Sequence, residues 1–149
     1  MTPQDLSAKT GESLGSSEWV EMTQEKVNMF ADATGDHQFI HIDEEKAKMT
    51  PFGGTIVHGF MTLSMIPYLG ANSDMPKIDD VKMGVNYGLN KVRFPSPVLV
   101  DSRLRLSGSI QKIEDYRDNG IKVVWNCSIE IQGSDKPACV AEFVSLMFE

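Results

Sequence analysis

Three histidines and one neighbouring aspartate are the residues of this chain best suited to acid/base chemistry. All three histidines lie between positions 37 and 58, and Asp36 and His41 are close enough along the chain to face one cleft across a turn. A carboxylate beside an imidazole can hold a water molecule, with the carboxylate of Asp36 taking a proton from that water and the imidazole of His41 supplying one elsewhere. The pair therefore predicts addition of water across a double bond.

Each of these residues also has an ordinary structural explanation, and the sequence leaves it open. Asp36 could only bond backbone N–H groups at a helix end, and His41 could be a buried histidine with its ring nitrogens satisfied. Aspartate and histidine also bind metals, so a site built from Asp36, His37, His41, Asp43 and His58 is conceivable. Asp43 is better explained as a helix N-cap, and we expect no metal and no cofactor.

A helix that ends at Gly35 should position Asp36. Thr23 offers an N-cap oxygen, and apolar residues recur at helical spacing from 27 to 31. Gly35 suits the left-handed position that commonly follows a helix. Asp36 then lies on the turn beyond the helix end.

A second helix, over residues 58–66, should lie beside this turn. It is apolar on nearly every side, which predicts burial in the middle of the domain, and Pro67 should end or kink it. Gly59 opens the helix and has no side chain to block an approaching substrate. Its backbone N–H could therefore hold the oxygen of a thioester carbonyl, and His58 could orient the turn.

The second half of the chain has the period of strands. Residues 81–94, 104–110, 121–131 and 138–148 alternate or are continuously apolar, and the Asp-Asn-Gly turn before residue 121 predicts an antiparallel hairpin. Helices followed by long antiparallel strands indicate an α+β domain, with a sheet wrapped around one buried helix. We expect a single domain over residues 1–149, with residues 1–16 flexible.

Charge and composition exclude several classes of partner. The net charge of -7 and the pI near 4.9 disfavour nucleic acid and anionic membranes as ligands. The apolar stretches are too short to span a bilayer, and the two cysteines, Cys127 and Cys139, fit buried reduced thiols. We therefore expect a cytoplasmic protein.

Three segments carry a likeness to a known family. Residues 30–43, with the sequence Gly-Asp-His-Gln at their centre, resemble the hydratase-2 motif of the MaoC-like dehydratases, the (R)-specific enoyl-CoA hydratases. Residues 51–64 and 86–98 resemble the next two family blocks. The likeness is closest to the NodN-like branch and extends over roughly residues 18–148.

The resemblance implies a hot-dog domain that forms a homodimer and uses no cofactor. It also implies reversible hydration of trans-2-enoyl thioesters of CoA or acyl-carrier protein to (R)-3-hydroxyacyl thioesters. The family's catalytic aspartate and histidine fall on Asp36 and His41, and its oxyanion-hole glycine falls on Gly59. Many members have Asn-Pro where this chain has Gln38-Phe39, so this turn is the main departure from the pattern.

Four further residues are candidate substrate contacts: Gln38, His58, Asn86 and Arg93. Arg93 could bind a substrate phosphate or simply pair with a carboxylate, and Asn86 could have a structural role. Two other functions fit the same fold. One is hydrolysis of acyl-CoA by a hot-dog thioesterase, and the other is binding of acyl thioesters by a subunit without activity.

Overall fold

The computed structural model describes all 149 residues as one antiparallel sheet with six short helices. The elements are α1 (Pro3–Ser7), β1 (Val20–Glu21), α2 (Gln24–Thr34), α3 (Phe39–Ile42), α4 (Glu44–Ala47), α5 (Gly59–Ser64), α6 (Ile66–Ala71), β2 (Met83–Arg93), β3 (Arg103–Tyr116), β4 (Gly120–Ile131) and β5 (Cys139–Phe148). Helices come first and strands last, which confirms the predicted α+β class. None of these helices combines the length and the apolar character needed to cross a membrane.

The five strands run in the order β1-β3-β4-β5-β2, and every neighbouring pair is antiparallel. The predicted hairpin joins β3 to β4, with Tyr116 opposite Gly120. Its glycine is required by a close approach, because a Cβ on Gly120 would lie 2.8 Å from the Tyr116 carbonyl oxygen. The positive φ of the turn falls instead on Arg117, at 56°.

The apolar segment after Gly59 forms two helices rather than one. Pro67 lies in the first turn of α6, where proline is tolerated because its missing N–H would have no helical partner. Met61, Ile66 and Leu69 are buried in the main core against the sheet. Phe60 is 73% exposed and Tyr68 54% exposed, so in the single chain this segment is less enclosed than its composition predicts.

The N-terminal segment, residues 1–16, was expected to be flexible; in the structure it packs against the sheet. Thr2 and Asp5 form a capping box that starts α1. Leu6 is fully buried and joins Leu14 in a small core against Ile110 of β3. The two leucines are separated by polar residues, and this separation hid their joint contribution to a core.

Candidate active site

The turn between α2 and α3 presents Asp36. Gly35 ends α2 in the left-handed conformation, with a φ of 82°, and its N–H donates to the Ala31 carbonyl at 2.8 Å. The next residue, Asp36, is exposed, and one of its carboxylate oxygens accepts a bond from the Gln38 N–H at 3.3 Å. The carboxylate therefore keeps acceptor capacity for another ligand.

His41 lies on α3 and is buried, with one ring nitrogen already engaged. Its Nδ1 lies 2.7 Å from the carbonyl oxygen of Ile56. Because a carbonyl can only accept, Nδ1 carries the hydrogen, and in the neutral ring Nε2 is left with a free lone pair. Burial lowers the pKa of His41 from its ordinary value of 6.5; the bond to Ile56 and the charge of Asp36 oppose this shift, and His58 adds to it.

His58 connects the two residues. Its side chain is almost fully buried, its Nε2–H donates to the backbone carbonyl of Asp36 at 3.0 Å, and its ring stacks on that of His41. The ring centroids are 3.8 Å apart, with an angle of 22° between the ring planes. The stacked rings and the bond to Asp36 hold the three residues together.

One polar side-chain atom each from Asp36, His41 and His58 lies within 4.8 Å of the other two. These residue types bind metals, but the stacking does not suit a chelate. A ring-nitrogen lone pair lies in the plane of its ring, so two nearly parallel stacked rings cannot both aim at one ion about 2.1 Å from each nitrogen. The arrangement fits a site that holds water between an acid and a base.

The other two candidate metal ligands are directed elsewhere. His37 is half-exposed, and its Nε2 lies 2.8 Å from a carboxylate oxygen of Asp32. That hydrogen bond is the main cause that raises the pKa of His37. Asp43 caps α4 by accepting from the Lys46 N–H at 3.1 Å, which is the N-cap role expected from the sequence.

Gly59 begins α5 directly after His58, so its N–H points away from the helix without an intrahelical partner. A Cβ at this position would lie 3.4 Å from the ring of Phe94, the residue after β2. The aromatic ring thus covers one side of the glycine. Sequence reasoning identified Gly59 but not Phe94, because only the packed fold brings the end of β2 to this helix.

The remaining candidates fall into different surroundings. Gln38 contributes its backbone N–H to Asp36, and its side chain is exposed without a hydrogen bond. Asn86 faces an apolar cavity. Arg93 is exposed; its guanidinium donates to the Val92 carbonyl at 2.7 Å and has no carboxylate within 4.0 Å, so the carboxylate pair that its charge suggested is absent from this chain.

A second feature was not found from the sequence: an apolar cavity of about 570 Å³ between α6, the segment 72–82 and the inner face of the sheet. Its walls include Ile66, Pro67, Gly70, Met75, Leu106 and Trp125. Gly70 lies inside a helix, where glycine is unfavourable, and its φ is not positive. A glycine inside a helix that needs no positive φ is therefore the sequence signal that could have indicated this cavity.

The two environments predict opposite titrations for His41 and His37. Burial disfavours the charged ring, so His41 should lose its proton below pH 6.5. The Asp32 carboxylate favours the charged ring, so His37 should lose its proton above 6.5. Titration of ring resonances by NMR measures both midpoints.

Asp32→Asn is the matched control for this titration. It should move the midpoint of His37 down towards 6.5 and leave that of His41 unchanged. A His41 midpoint at or above 6.5 would contradict the buried, neutral ring.

Two known proteins are similar to this chain in sequence over almost its whole length. The protein 3-hydroxyacyl-thioester dehydratase Z of Mycobacterium tuberculosis is 52% identical over 140 residues, covering 94% of this chain and 91% of that protein. Nodulation protein N of Rhizobium leguminosarum bv. viciae is 40% identical over 144 residues, covering 96% of this chain and 89% of that protein.

Solved structures with low sequence identity to this chain share its fold. The crystal structure of a MaoC-like dehydratase from Rhodospirillum rubrum superposes with a TM-score of 0.79 at 19% identity, covering 100% of this chain and 97% of that one. Residues 5–130, most of the chain, match the family described as MaoC like domain. This chain belongs to the MaoC-like dehydratase family.

Proposed function

We propose that the protein is a hydro-lyase that adds water reversibly to trans-2-enoyl thioesters and gives (R)-3-hydroxyacyl thioesters. The observation that carries this proposal is the cluster of Asp36, His41 and His58, in which one polar side-chain atom of each lies within 4.8 Å of the other two, together with the free Nε2 of His41. His58 stacks on His41 and directly precedes Gly59, so a carbonyl-binding N–H adjoins the same site. The family and the 52% identical dehydratase support the same reaction.

The tautomer of His41 suggests how the proton moves. Water held between Asp36 and His41 attacks C3 of the enoyl group and gives its proton to Nε2, the nitrogen with the free lone pair. The π electrons of the double bond move onto the thioester oxygen, and the same proton then passes from Nε2 to C2. In this scheme His41 takes the proton from water and Asp36 orients it, whereas the sequence had suggested Asp36 as the base.

The transient negative charge on the thioester oxygen needs a donor, and the Gly59 N–H can supply one. It is the first N–H of α5 and is free of any helical bond. We propose that Arg93, whose guanidinium has no carboxylate partner, contacts the phosphate found in both CoA and the phosphopantetheine arm of a carrier protein.

The proposed reaction is tested by incubating the protein with crotonyl-CoA and measuring its hydration as the loss of enoyl absorbance. Asp36→Asn and His41→Gln should each lower kcat by roughly 10²- to 10⁴-fold, the usual contribution of a general acid/base group. Asp32→Asn removes a carboxylate outside the site and should leave the rate unchanged.

Two other outcomes would replace the proposal. Release of free thiol from acyl-CoA without a hydration product would select a thioesterase. Binding of acyl-CoA with no turnover of enoyl substrates of any length would select a subunit without activity. Wild-type rates in both Asp36→Asn and His41→Gln would exclude this pair as the catalytic groups.

We also propose a homodimer formed through β2. This strand is the long open edge of the sheet, since the opposite edge, β1, has only two residues. An exposed edge with unpaired N–H and C=O groups invites another strand. It carries exposed apolar side chains, namely Met83, Val85, Tyr87 and Leu89.

A charge on this edge should separate the subunits. The wild-type mass in solution should be twice the 16.5 kDa of the chain, and Leu89→Lys should shift it towards the single-chain value, because lysine is costly to bury unpaired. Met49→Lys is the matched control, since Met49 is 88% exposed and far from β2 in the sequence. A wild-type monomer by analytical ultracentrifugation would contradict the dimer.

The apolar cavity is the place we propose for the far end of the acyl chain. Its first wall residue, Ile66, follows Gly59 by seven residues, roughly 10 Å at the rise of a helix. Gly70 is one of the wall residues, and a Cβ there would meet only Leu106, at 3.7 Å, so only a longer side chain would fill the cavity. Asn86 is then a residue of the acyl pocket rather than a contact of the thioester.

Gly70→Leu should narrow the range of substrates without stopping the chemistry. The new side chain would occupy the cavity, so a long enoyl chain would lose the burial of a few methylene groups there. For long enoyl substrates kcat/KM should therefore fall at least about tenfold. For crotonyl-CoA, which is too short to reach the cavity, kcat/KM should stay near wild type. Gly70→Ala adds only a methyl group at an ordinary contact distance and should keep the wild-type profile. An unchanged profile in Gly70→Leu would show that the chain lies elsewhere.

The two cysteines fit a reducing compartment. Cys127 and Cys139 are buried and free, and burial raises the pKa of Cys127 to about 12 and that of Cys139 to about 11. We propose a cytoplasmic location on this basis.

A further inference from the structure

His58 is a buried polar residue, and the fold by itself does not explain why the free-energy cost of burying it is tolerated. The side chain is 3% exposed, and its Nδ1 is a buried nitrogen with no hydrogen-bond partner. Buried polar atoms are nearly always satisfied, so an unsatisfied one calls for a specific reason. An aliphatic residue would fill this core position without leaving such an atom.

The contacts of His58 supply that reason. Because its Nε2 faces the Asp36 carbonyl, an acceptor, Nε2 carries a hydrogen and donates it to that carbonyl. One face of the ring is stacked on His41, and the ring also packs against Phe30 of α2. A single side chain thus contacts the backbone of one reacting residue and the ring of the other.

Asp36 depends on this contact more than His41 does. The carboxylate is on an exposed turn after a helix end, and its side chain receives one long bond, from the Gln38 N–H at 3.3 Å. His41 is fixed independently by its 2.7 Å bond to Ile56. The bond from His58 to the Asp36 carbonyl therefore holds the turn that carries this exposed carboxylate in a set position relative to the fixed ring of His41.

We propose that His58 is a positioning residue for the hydration reaction. Its Nε2–H ties the turn that carries Asp36 to the core, and its ring fixes the plane of His41, so the two groups hold one water in a geometry ready to react. This inference rests on the proposed function. His58 touches neither the water nor the substrate in this scheme, so its loss should slow the chemical step and leave substrate binding intact.

Two variants separate the hydrogen bond from the stacking. His58→Phe keeps an aromatic ring of similar shape but removes the donor. His58→Gln removes the ring but places an amide N–H the same number of bonds from Cα as Nε2, so it can still reach the Asp36 carbonyl.

Steady-state hydration of crotonyl-CoA by the full-length chain gives the readout. His58→Phe should lower kcat about 10- to 100-fold with KM within about threefold of wild type, because small misplacements of reacting groups cost rates of this size. His58→Gln should recover a measurable part of the lost kcat. Circular dichroism and the midpoint of thermal unfolding check that both variants are folded.

Three results would overturn the inference. The first is a wild-type kcat in His58→Phe. The second is a loss confined to KM, which would make His58 a substrate contact, and the third is a folded His58→Gln no more active than His58→Phe. Absence of hydration by the wild-type protein would instead overturn the proposed function, so the two failures are distinguishable.

Discussion

The bond from His41 Nδ1 to the Ile56 carbonyl is the constraint on which the site depends. Ile56 is itself held on both sides: its N–H donates to the Ile40 carbonyl at 2.9 Å, and it pairs with Leu99 in an isolated bridge. The neighbouring Val57 N–H donates to the Val98 carbonyl at 2.8 Å. The short segment 55–57 thus joins the turn and the helix that carry Asp36 and His41 to the segment that follows β2.

This segment also determines where the second half of the site begins. The chain runs from Val57 directly into His58 and Gly59, so the residues that fix His41 are covalently continuous with the start of α5. Burial of the His41 ring lowers its pKa, and the bond of Nδ1 to Ile56 leaves Nε2 as the nitrogen with a free lone pair. Four consecutive residues, 56–59, therefore bond to His41, fill the core beside it and begin α5.

Local signals in the sequence predicted the parts of the site that depend on local chemistry. Thr23 and Gly35 bound α2 as expected, so the position of Asp36 after its end could be predicted. The turn before residue 121 correctly predicted the β3–β4 hairpin. Each of these features is decided within a few residues, which is the range over which capping and turn preferences act.

Features that depend on contacts between distant segments could not be predicted in this way. The protonated nitrogen of His41 is chosen by a carbonyl fifteen residues away, and Phe94 reaches Gly59 only through the fold. Leu6 gave no periodic pattern, yet it is fully buried because β3 supplies the other side of its core. Pro67 was expected to end or bend a helix, and its place at the start of α6 depends on the break at Met65.

The break at Met65 divides the apolar segment into two short helices, and each contributes to a different part of the molecule. The first, α5, begins with Gly59 directly after His58, while the second, α6, presents Gly70 to the cavity. The two glycines lie at opposite ends of this segment, Gly59 at the first position of α5 and Gly70 near the end of α6. Under the proposed function, mutation on α6 would diversify which acyl chains the protein accepts while the residues proposed for the chemistry are inherited unchanged.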